Sequence, residues 1–101
     1  MSNQGSQCAC IRKELKSTAS TLKIIAEDNR LRIICLLLKK ELCVCELMAA
    51  LGLPHNLVLH HLKALAGTGL IKKKEEGRFS FYRLNIRSFA RFKKQFIKLI
   101  S

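Results

Sequence analysis

The amino-acid sequence predicts a small, mainly α-helical domain that carries one β-hairpin. Apolar residues recur at three- and four-residue intervals in five separate stretches, and this is the period of an amphipathic helix. One stretch near residue 76 instead has β-prone residues on both sides of a Glu-Gly turn, which is typical of a hairpin. A chain of 101 residues has room for one domain with a modest hydrophobic core.

The first two helices are predicted over residues 11–26 and 29–38. The letters "EDN" separate them, and Asp28 is the predicted N-cap of the second helix. The second helix is apolar on nearly all sides after Arg32, so it should lie at the centre of the core with Cys35 buried in it. Residues 1–10 precede these helices as a separate, flexible segment.

The third and fourth helices flank a short turn. The letters "KKELCVC" can be extended, the chain is predicted to be helical from Glu41 to Leu51, and Gly52 ends that helix. Pro54 suits the first turn of the next helix, residues 54–66. Its inward stripe is Val58, Leu62 and Leu65. Its opposite face is His55, Asn56, Leu59, His60 and Lys63.

The remaining elements are a hairpin and a last helix. Glu76 and Gly77 form the turn of the hairpin "LIKKKEEGRFSFYRL". The last helix has an apolar face made of Phe89, Phe92, Phe96 and Leu99. Five helices with a basic hairpin before the last one define a winged helix-turn-helix over residues 11–101, in which residues 54–66 are the recognition helix.

The charge of the chain favours a polyanionic partner. Nineteen basic and seven acidic residues give a net charge of +12, which indicates nucleic acid first and a merely solubilising surface second. No apolar run is long enough to span a bilayer, and no export signal opens the chain. We therefore expect a cytoplasmic protein with no membrane partner, although the basic amphipathic last helix would also fit a membrane surface.

Four of the five cysteines form two pairs with the same spacing: Cys8 with Cys10, and Cys43 with Cys45. In a reducing compartment, thiols stay free or bind metal rather than form a disulfide framework. Residues two apart lie on the same side of an extended chain but about 200° apart on a helix. Cys43 and Cys45 can therefore hold one ion only where the chain is extended or the helix start is distorted. The alternatives are a buried, structural Cys43 and a redox or persulfide response of the dithiols.

Four stretches of the chain resemble the ArsR/SmtB family of metal-responsive repressors over roughly residues 12–100. They are "AEDNRLRI", "ELCVCEL", "LGLPHNLVLHHLKALAGTGLI" and "KKKEEGRFSFYRL". The second is very similar to the family's thiolate metal box. The resemblance implies a homodimer that binds operator DNA without metal and releases it when a toxic metal ion binds.

The resemblance also assigns the metal ligands. Cys43 and Cys45 match the metal-box cysteines, and Met48 stands where the arsenic-sensing branch has a third cysteine. Cys8 and Cys10 would complete the site, as N-terminal cysteines do in the cadmium/lead branch. As(III) is the favoured ion, with Cd(II), Pb(II) and Zn(II) as alternatives. Residues 85–88 lack the Asp and His with which another branch binds zinc on its last helix, so no such site is expected.

The predicted DNA surface combines the recognition helix with the hairpin, and His61 is expected at the edge of the core. The DNA contacts are His55, Asn56, Leu59, His60, Lys63, Lys72, Lys73 and Arg78. The dimer is expected to form through the terminal helices, at Leu15, Leu22, Phe89, Phe92, Phe96 and Leu99. The alternative for the hairpin is a solvated charged surface. No acid–base pair, nucleophile or phosphate loop predicts an enzyme, and a metal buffer or redox protein is the other function considered.

Overall fold

The computed structural model describes the backbone of residues 4–101 and the side chains of residues 12–101. These residues form five helices and three strands, in which the helices and the hairpin follow the order that the sequence predicts for a winged helix-turn-helix. They are α1 (Gln4–Ile25), α2 (Asp28–Leu37), β1 (Leu42–Cys43), α3 (Val44–Leu51), α4 (His55–Gly67), β2 (Ile71–Glu76), β3 (Phe79–Leu84) and α5 (Ile86–Ile100). Within the described residues, no helix is both long enough and apolar enough to cross a membrane.

The sheet contains the predicted hairpin and one further strand. Strands β2 and β3 are antiparallel, and their register runs from Ile71 opposite Leu84 to Glu76 opposite Phe79. Gly77 turns the chain with a φ of 60°, a conformation that glycine adopts without a Cβ clash. The short β1 pairs with the other edge of β3, so the strand order is β1-β3-β2. A strand of two residues is too short to show a period, which is why the sequence does not reveal this pairing.

Four helix starts differ from the prediction. Helix α4 begins at His55, and Pro54 is its N-cap and not part of its first turn. The backbone of residues 4–10, in the predicted N-terminal segment, already belongs to α1. The N-cap of α2 is Glu27 rather than Asp28, because the Glu27 carboxylate accepts a hydrogen bond of 2.9 Å from the backbone N–H of Arg30. Helix α3 begins at Val44 rather than Glu41, because the preceding residues extend to pair with β3.

The core forms where α2, α3 and α4 pack against the sheet. Its completely enclosed side chains include Ile33 from α2 and Leu47 from α3. Val58, Leu62 and Leu65 of α4 are fully buried, which confirms the predicted inward stripe. Each such side chain stabilises the fold by roughly 1.5–3 kcal/mol through the apolar surface that it removes from water. This packing fixes the orientation of α4, and with it the face that α4 presents outward.

The prediction that Cys35 lies in the core is wrong. Ile33, Ile34 and Leu37 form the buried face of α2, and Cys35 is exposed. Successive helical residues differ by about 100° in direction, so a side chain that directly follows two buried ones turns toward solvent. Cys35 instead lines a shallow groove of about 330 Å³ with Leu31 and other residues of α2 and α3.

Candidate functional site

The two cysteines of the metal box lie on either side of the junction between β1 and α3. Cys43 is the last residue of β1 and the N-cap of α3, with extended backbone angles (φ −86°, ψ 167°). Cys45 follows in the first turn of α3 and is exposed, whereas Cys43 is half-buried. The chain is thus extended at the first thiol and helical at the second, so chelation by both would require the start of α3 to distort.

Glu46 holds the start of α3 in place. Its Oε1 accepts a hydrogen bond of 2.9 Å from the backbone N–H of Cys43, and this bond holds the pKa of Glu46 below its ordinary value. A carboxylate at this position also interacts favourably with the N-terminal end of the helix dipole. Glu46 is therefore ionised at neutral pH, and its charge lies beside the two thiols.

The metal box is connected to both parts of the predicted DNA surface. Cys43 is paired with Phe81 of β3, the second strand of the hairpin. Leu47 and Leu51 of α3 belong to the same buried cluster as Val58 of α4. A change in the path of the chain at residues 43–45 would therefore act on the hairpin and on the recognition helix at once.

The described side chains do not complete a metal site around Cys43 and Cys45. Over residues 12–101, no group of three or more His, Cys, Asp or Glu side chains is placed to hold an ion. Met48 is partly buried and packs against the core, so it is not an open third ligand. The side chains of Cys8 and Cys10 lie outside the described residues, and their proposed role as ligands stays a prediction.

Most of the predicted DNA contacts on α4 are exposed. His55, Asn56, His60 and Lys63 all face solvent. Leu59 is different, because it is half-buried and packs against the core. Its assignment to the outer face is corrected: the apolar face of α4 is wide enough to include position 59. The four exposed members of the predicted contact set on α4 are therefore all polar, although Leu57 nearby is also exposed.

Arg30, which the sequence did not mark as a site residue, joins α2 to the recognition helix. Arg30 Nε donates to Nδ1 of His61 at 3.0 Å, and Arg30 Nη2 lies 3.5 Å from Nε2 of His60. His61 is 9% exposed, as expected for the edge of the core. A buried imidazole needs a hydrogen-bond partner, and that need was the one signal in the sequence that could have pointed to an arginine.

The first strand and the turn of the hairpin, or wing, are exposed, whereas Tyr82 and Leu84 of β3 are buried in the core. Only Ile71 of β2 is buried, and Lys72, Lys73 and Arg78 all face solvent. Lys73 Nζ lies 3.1 Å from Glu75 Oε2, and this hydrogen bond raises the pKa of Lys73. Among the described residues, Lys72 and Arg78 are in no ion pair within 4.0 Å, so they keep their full charge for an external anion.

A basic cleft lies where the wing meets α5. Lys72 stands directly opposite Arg83 in the β2–β3 register. Both line a cleft of about 550 Å³ with Arg87 and Arg91 of α5, and no acidic residue is part of its lining. The sequence reasoning named Lys72 alone, although the hairpin register already brings Arg83 beside it. Positive charge therefore extends from the wing to the start of the last helix.

The terminal helices contact each other and leave apolar side chains uncovered. Gln95 Nε2 donates to Thr18 Oγ1 at 2.7 Å and to the Glu14 carbonyl at 3.2 Å. Outside this contact, Leu15 is 48% exposed and Ile100 is 67% exposed. The other predicted interface residues, which are Leu22, Phe89, Phe92, Phe96 and Leu99, are partly buried in the single chain.

The order of the helices and the basic wing together define the class of the protein: a winged helix-turn-helix protein. Residues 27–73 match the family model described as "Bacterial regulatory protein, arsR family". An SmtB transcriptional repressor homolog from Synechocystis sp. is 34% identical over 71 residues, which cover 70% of this chain and 54% of that protein. The arsenical resistance operon repressor of Staphylococcus aureus is 33% identical over 70 residues, which cover 69% of this chain and 67% of that repressor.

Solved structures agree with the sequence matches. HlyU from Vibrio cholerae superimposes with a TM-score of 0.72 at 33% identity, covering 80% of this chain and 89% of HlyU. A homodimeric winged helix-turn-helix DNA-binding domain from Mycobacterium bovis has a TM-score of 0.70 at 24% identity over 99% of this chain and 86% of its own, and supports the fold. The chain belongs to the ArsR family of bacterial regulatory proteins, also known as ArsR/SmtB. It spans about half the length of the SmtB homolog that it matches.

Proposed function

We propose that the protein is a homodimeric repressor that binds operator DNA and is released when a thiophilic ion binds cysteine thiolates. One observation carries this proposal: the Cys43/Cys45 pair lies at the start of α3, directly before the DNA-reading unit. The arsenical resistance operon repressor of Staphylococcus aureus among the relatives supports the same chemistry. A regulator of this kind works where the chromosome is, which places it in the cytoplasm.

DNA binding is assigned to α4 and the wing. His55, Asn56 and His60 project from the outer face of α4, where they reach base edges if the helix lies in the major groove. Lys63 and the wing cations bind phosphates, which position the protein on the duplex without reading its sequence. The net charge of +12 strengthens and accelerates this association and makes it dependent on salt.

Release follows from the position of the thiols. Soft thiolates select As(III), Cd(II), Pb(II) or Zn(II) over hard ions, and a bound ion supplies bonds that draw two sulfurs together. Because Cys43 is extended and Cys45 is helical, drawing their side chains together shifts the first turn of α3. Helix α3 packs on α4 through Leu47 and Leu51, so the shift moves the recognition helix out of its DNA-binding orientation.

The remaining ligands are assigned to the N-terminal cysteines. Met48 occupies the place of a third box cysteine and packs against the core, so two thiolates of the box are not sufficient. Cys8 and Cys10, from the same subunit or its partner, raise the number of thiolate ligands from two to three or four. Three thiolates suit As(III), and four thiolates suit Cd(II) or Pb(II). We favour As(III), because the metal box resembles that of the arsenic-sensing branch.

The dimer is assigned to α1 and α5. These helices carry exposed apolar side chains, Leu15, Ile97 and Ile100 among them, and a second copy of the chain would cover them. A two-fold dimer would also place two α4 helices on successive turns of a symmetric operator.

Two measurements test the proposal. The apo protein should bind a two-fold-symmetric fragment from its own promoter region, and titration with As(III), Cd(II), Pb(II) and Zn(II) should give thiolate absorption together with loss of DNA binding. Linkage requires DNA to weaken metal binding by the same factor by which metal weakens DNA binding. An apo protein without affinity for that fragment would contradict the repressor function.

A thiol-based redox or persulfide response is the second candidate. The exposure of Cys45 favours it, since oxidation requires access. One structural relative is described as reduced HlyU from Vibrio cholerae. Release of DNA by a persulfide or peroxide, reversed by dithiothreitol and unaffected by metal ions, would select this candidate. A metal-buffering protein without DNA function is a weaker alternative. Binding of the apo protein to its promoter fragment would exclude it.

A further inference from the structure

We propose that Arg30 sets the tautomer of His60, so that His60 presents an N–H donor to an acceptor on a base edge of the operator. Arg30 is on α2, outside the helix that enters the groove, and would act as a positioning residue for sequence readout. The proposal rests on the DNA-binding function proposed above. It adds a specificity determinant that neither the recognition helix nor the wing contains.

Three contacts of a single guanidinium carry the argument. Arg30 Nε donates to His61 Nδ1 at 3.0 Å, and Arg30 Nη1 donates to the carbonyl of Ile24 at 3.4 Å. Arg30 Nη2 lies 3.5 Å from His60 Nε2. The guanidinium therefore spans the end of α1, the first turn of α2 and the middle of α4.

The chemistry of the guanidinium favours one tautomer for each histidine. A guanidinium is always charged and has donors only, so both histidine nitrogens that face it must accept. A neutral imidazole has one donor and one acceptor nitrogen. His61 therefore carries its proton on Nε2, and His60 carries its proton on Nδ1. One arginine holds two adjacent histidines in opposite tautomers.

The surroundings keep this arrangement in place. The rings of His60 and His61 are 5.5 Å apart and inclined by 60°. Glu27 Oε1 accepts from the backbone N–H of Arg30 at 2.9 Å and lies 3.8 Å from His61 Nδ1. The carboxylate thus fixes the start of α2, from which the Arg30 side chain reaches α4.

The two histidines then have different roles. His61 is 9% exposed and ties α4 to α2. His60 is exposed on the outer face of α4, and its Nδ1 has no hydrogen-bond partner among the residues whose side chains the structure describes. In the major groove, N7 and O6 of guanine, N7 of adenine and O4 of thymine accept an N–H donor, whereas the amino group of cytosine does not. His60 would therefore favour an acceptor at one operator position.

The tautomer is tested in the DNA-free protein with ¹⁵N-labelled histidine. We expect the wild-type spectrum to show His60 protonated at Nδ1 and His61 protonated at Nε2. Arg30→Lys keeps the charge but cannot make the three contacts, so His60 should gain the Nε2–H form. Arg32→Lys is the matched control, because Arg32 is on the same helix and donates to the Ala50 carbonyl at 3.3 Å. It should leave both tautomers unchanged.

DNA binding supplies the second readout. Loss of one hydrogen bond to a base should lower the ratio of operator affinity to nonspecific affinity by about three- to tenfold in Arg30→Lys. His60→Ala should give the same loss, and the double variant should lose no more, because both changes remove one interaction. The salt slope should stay at its wild-type value, since no phosphate contact is lost. Arg32→Lys should keep the wild-type ratio.

The outcomes separate this inference from the proposed function. A wild-type His60 with its proton on Nε2 overturns the inference, as does an Arg30→Lys variant with the wild-type affinity ratio. A wild-type protein that does not prefer its operator contradicts the repressor function, and the histidine spectrum still decides the tautomer. Should Arg30→Lys not fold, the wild-type spectrum and His60→Ala decide the matter.

Discussion

Cys43 and Cys45 lie at the start of α3, whereas Cys35 is an exposed residue of α2, so only the first two are expected to take part in sensing. Cys43→Ser or Cys45→Ser should leave operator affinity near the wild-type value, because neither side chain is on the outer face of α4. Each variant should abolish release by metal, because hydroxyl oxygen is a poor ligand for soft ions. A fluorescence-anisotropy titration of the DNA complex with As(III) and Cd(II) measures both properties.

Cys35→Ser is the matched control for those variants. Cys35 is exposed, so its replacement should change the free energy of unfolding by no more than about 0.5 kcal/mol. Metal release should be retained. Normal release from a Cys43 variant would mean that the inducer binds elsewhere, and the proposed coupling through α3 would be wrong.

Glu27 and Glu46 should make the stability of the fold depend on pH. The backbone N–H of Arg30 donates to Glu27 and that of Cys43 donates to Glu46, and these hydrogen bonds hold the pKa of each carboxyl below its ordinary value. A lowered folded-state pKa stabilises the fold above the unfolded-state pKa, and this contribution is lost as the pH falls through the folded-state value. Urea unfolding of Glu27→Gln should show lower stability than wild type at pH 7. The variant should also lose less stability than wild type between pH 7 and pH 3, and an equal loss would exclude Glu27 as a source of the pH dependence.

At the scale of elements, α4 and the wing should contribute separate phosphate contacts. Lys63→Ala and Arg78→Ala should each weaken DNA binding and flatten the plot of log K against log salt by about 0.9 per lost phosphate contact. Metal affinity should change little, because neither side chain supplies a thiolate or another soft ligand. Lys94→Ala, which removes the same charge from α5, should keep the wild-type slope. Unchanged slopes for Lys63→Ala and Arg78→Ala would show that they do not touch the backbone of the DNA.

At the scale of the whole molecule, the exposed apolar side chains of α1 and α5 should hold the dimer together. Leu15→Glu should produce a monomer in sedimentation equilibrium, because an ionised carboxylate in an apolar interface is costly to desolvate. Operator affinity should then fall, since one α4 helix would reach only one half-site. Leu38→Glu is the matched control, because Leu38 is 55% exposed but lies outside both helices. A dimeric Leu15→Glu protein would place the interface elsewhere.

The sequence by itself determined the elements that depend on near neighbours in the chain. The number and order of the helices follow from apolar periods, and the inward stripe of α4 follows from residues 58, 62 and 65. Gly77 marks the hairpin turn because its φ of 60° is a conformation that other residues rarely adopt. The sequence likewise shows that Cys43 and Cys45 lie close together, because both belong to one short motif.

The tertiary structure decided which faces of those elements meet. Arg30 and His61 are 31 residues apart, and nothing in the local pattern of either helix connects them. Cys35 is exposed and Leu59 is half-buried because the width and direction of each buried face depend on the neighbouring helix. Strand β1 exists only because β3 offers an open edge beside it. Local periods specify helices and turns, whereas contacts between distant residues depend on packing, which acts on the folded chain as a whole.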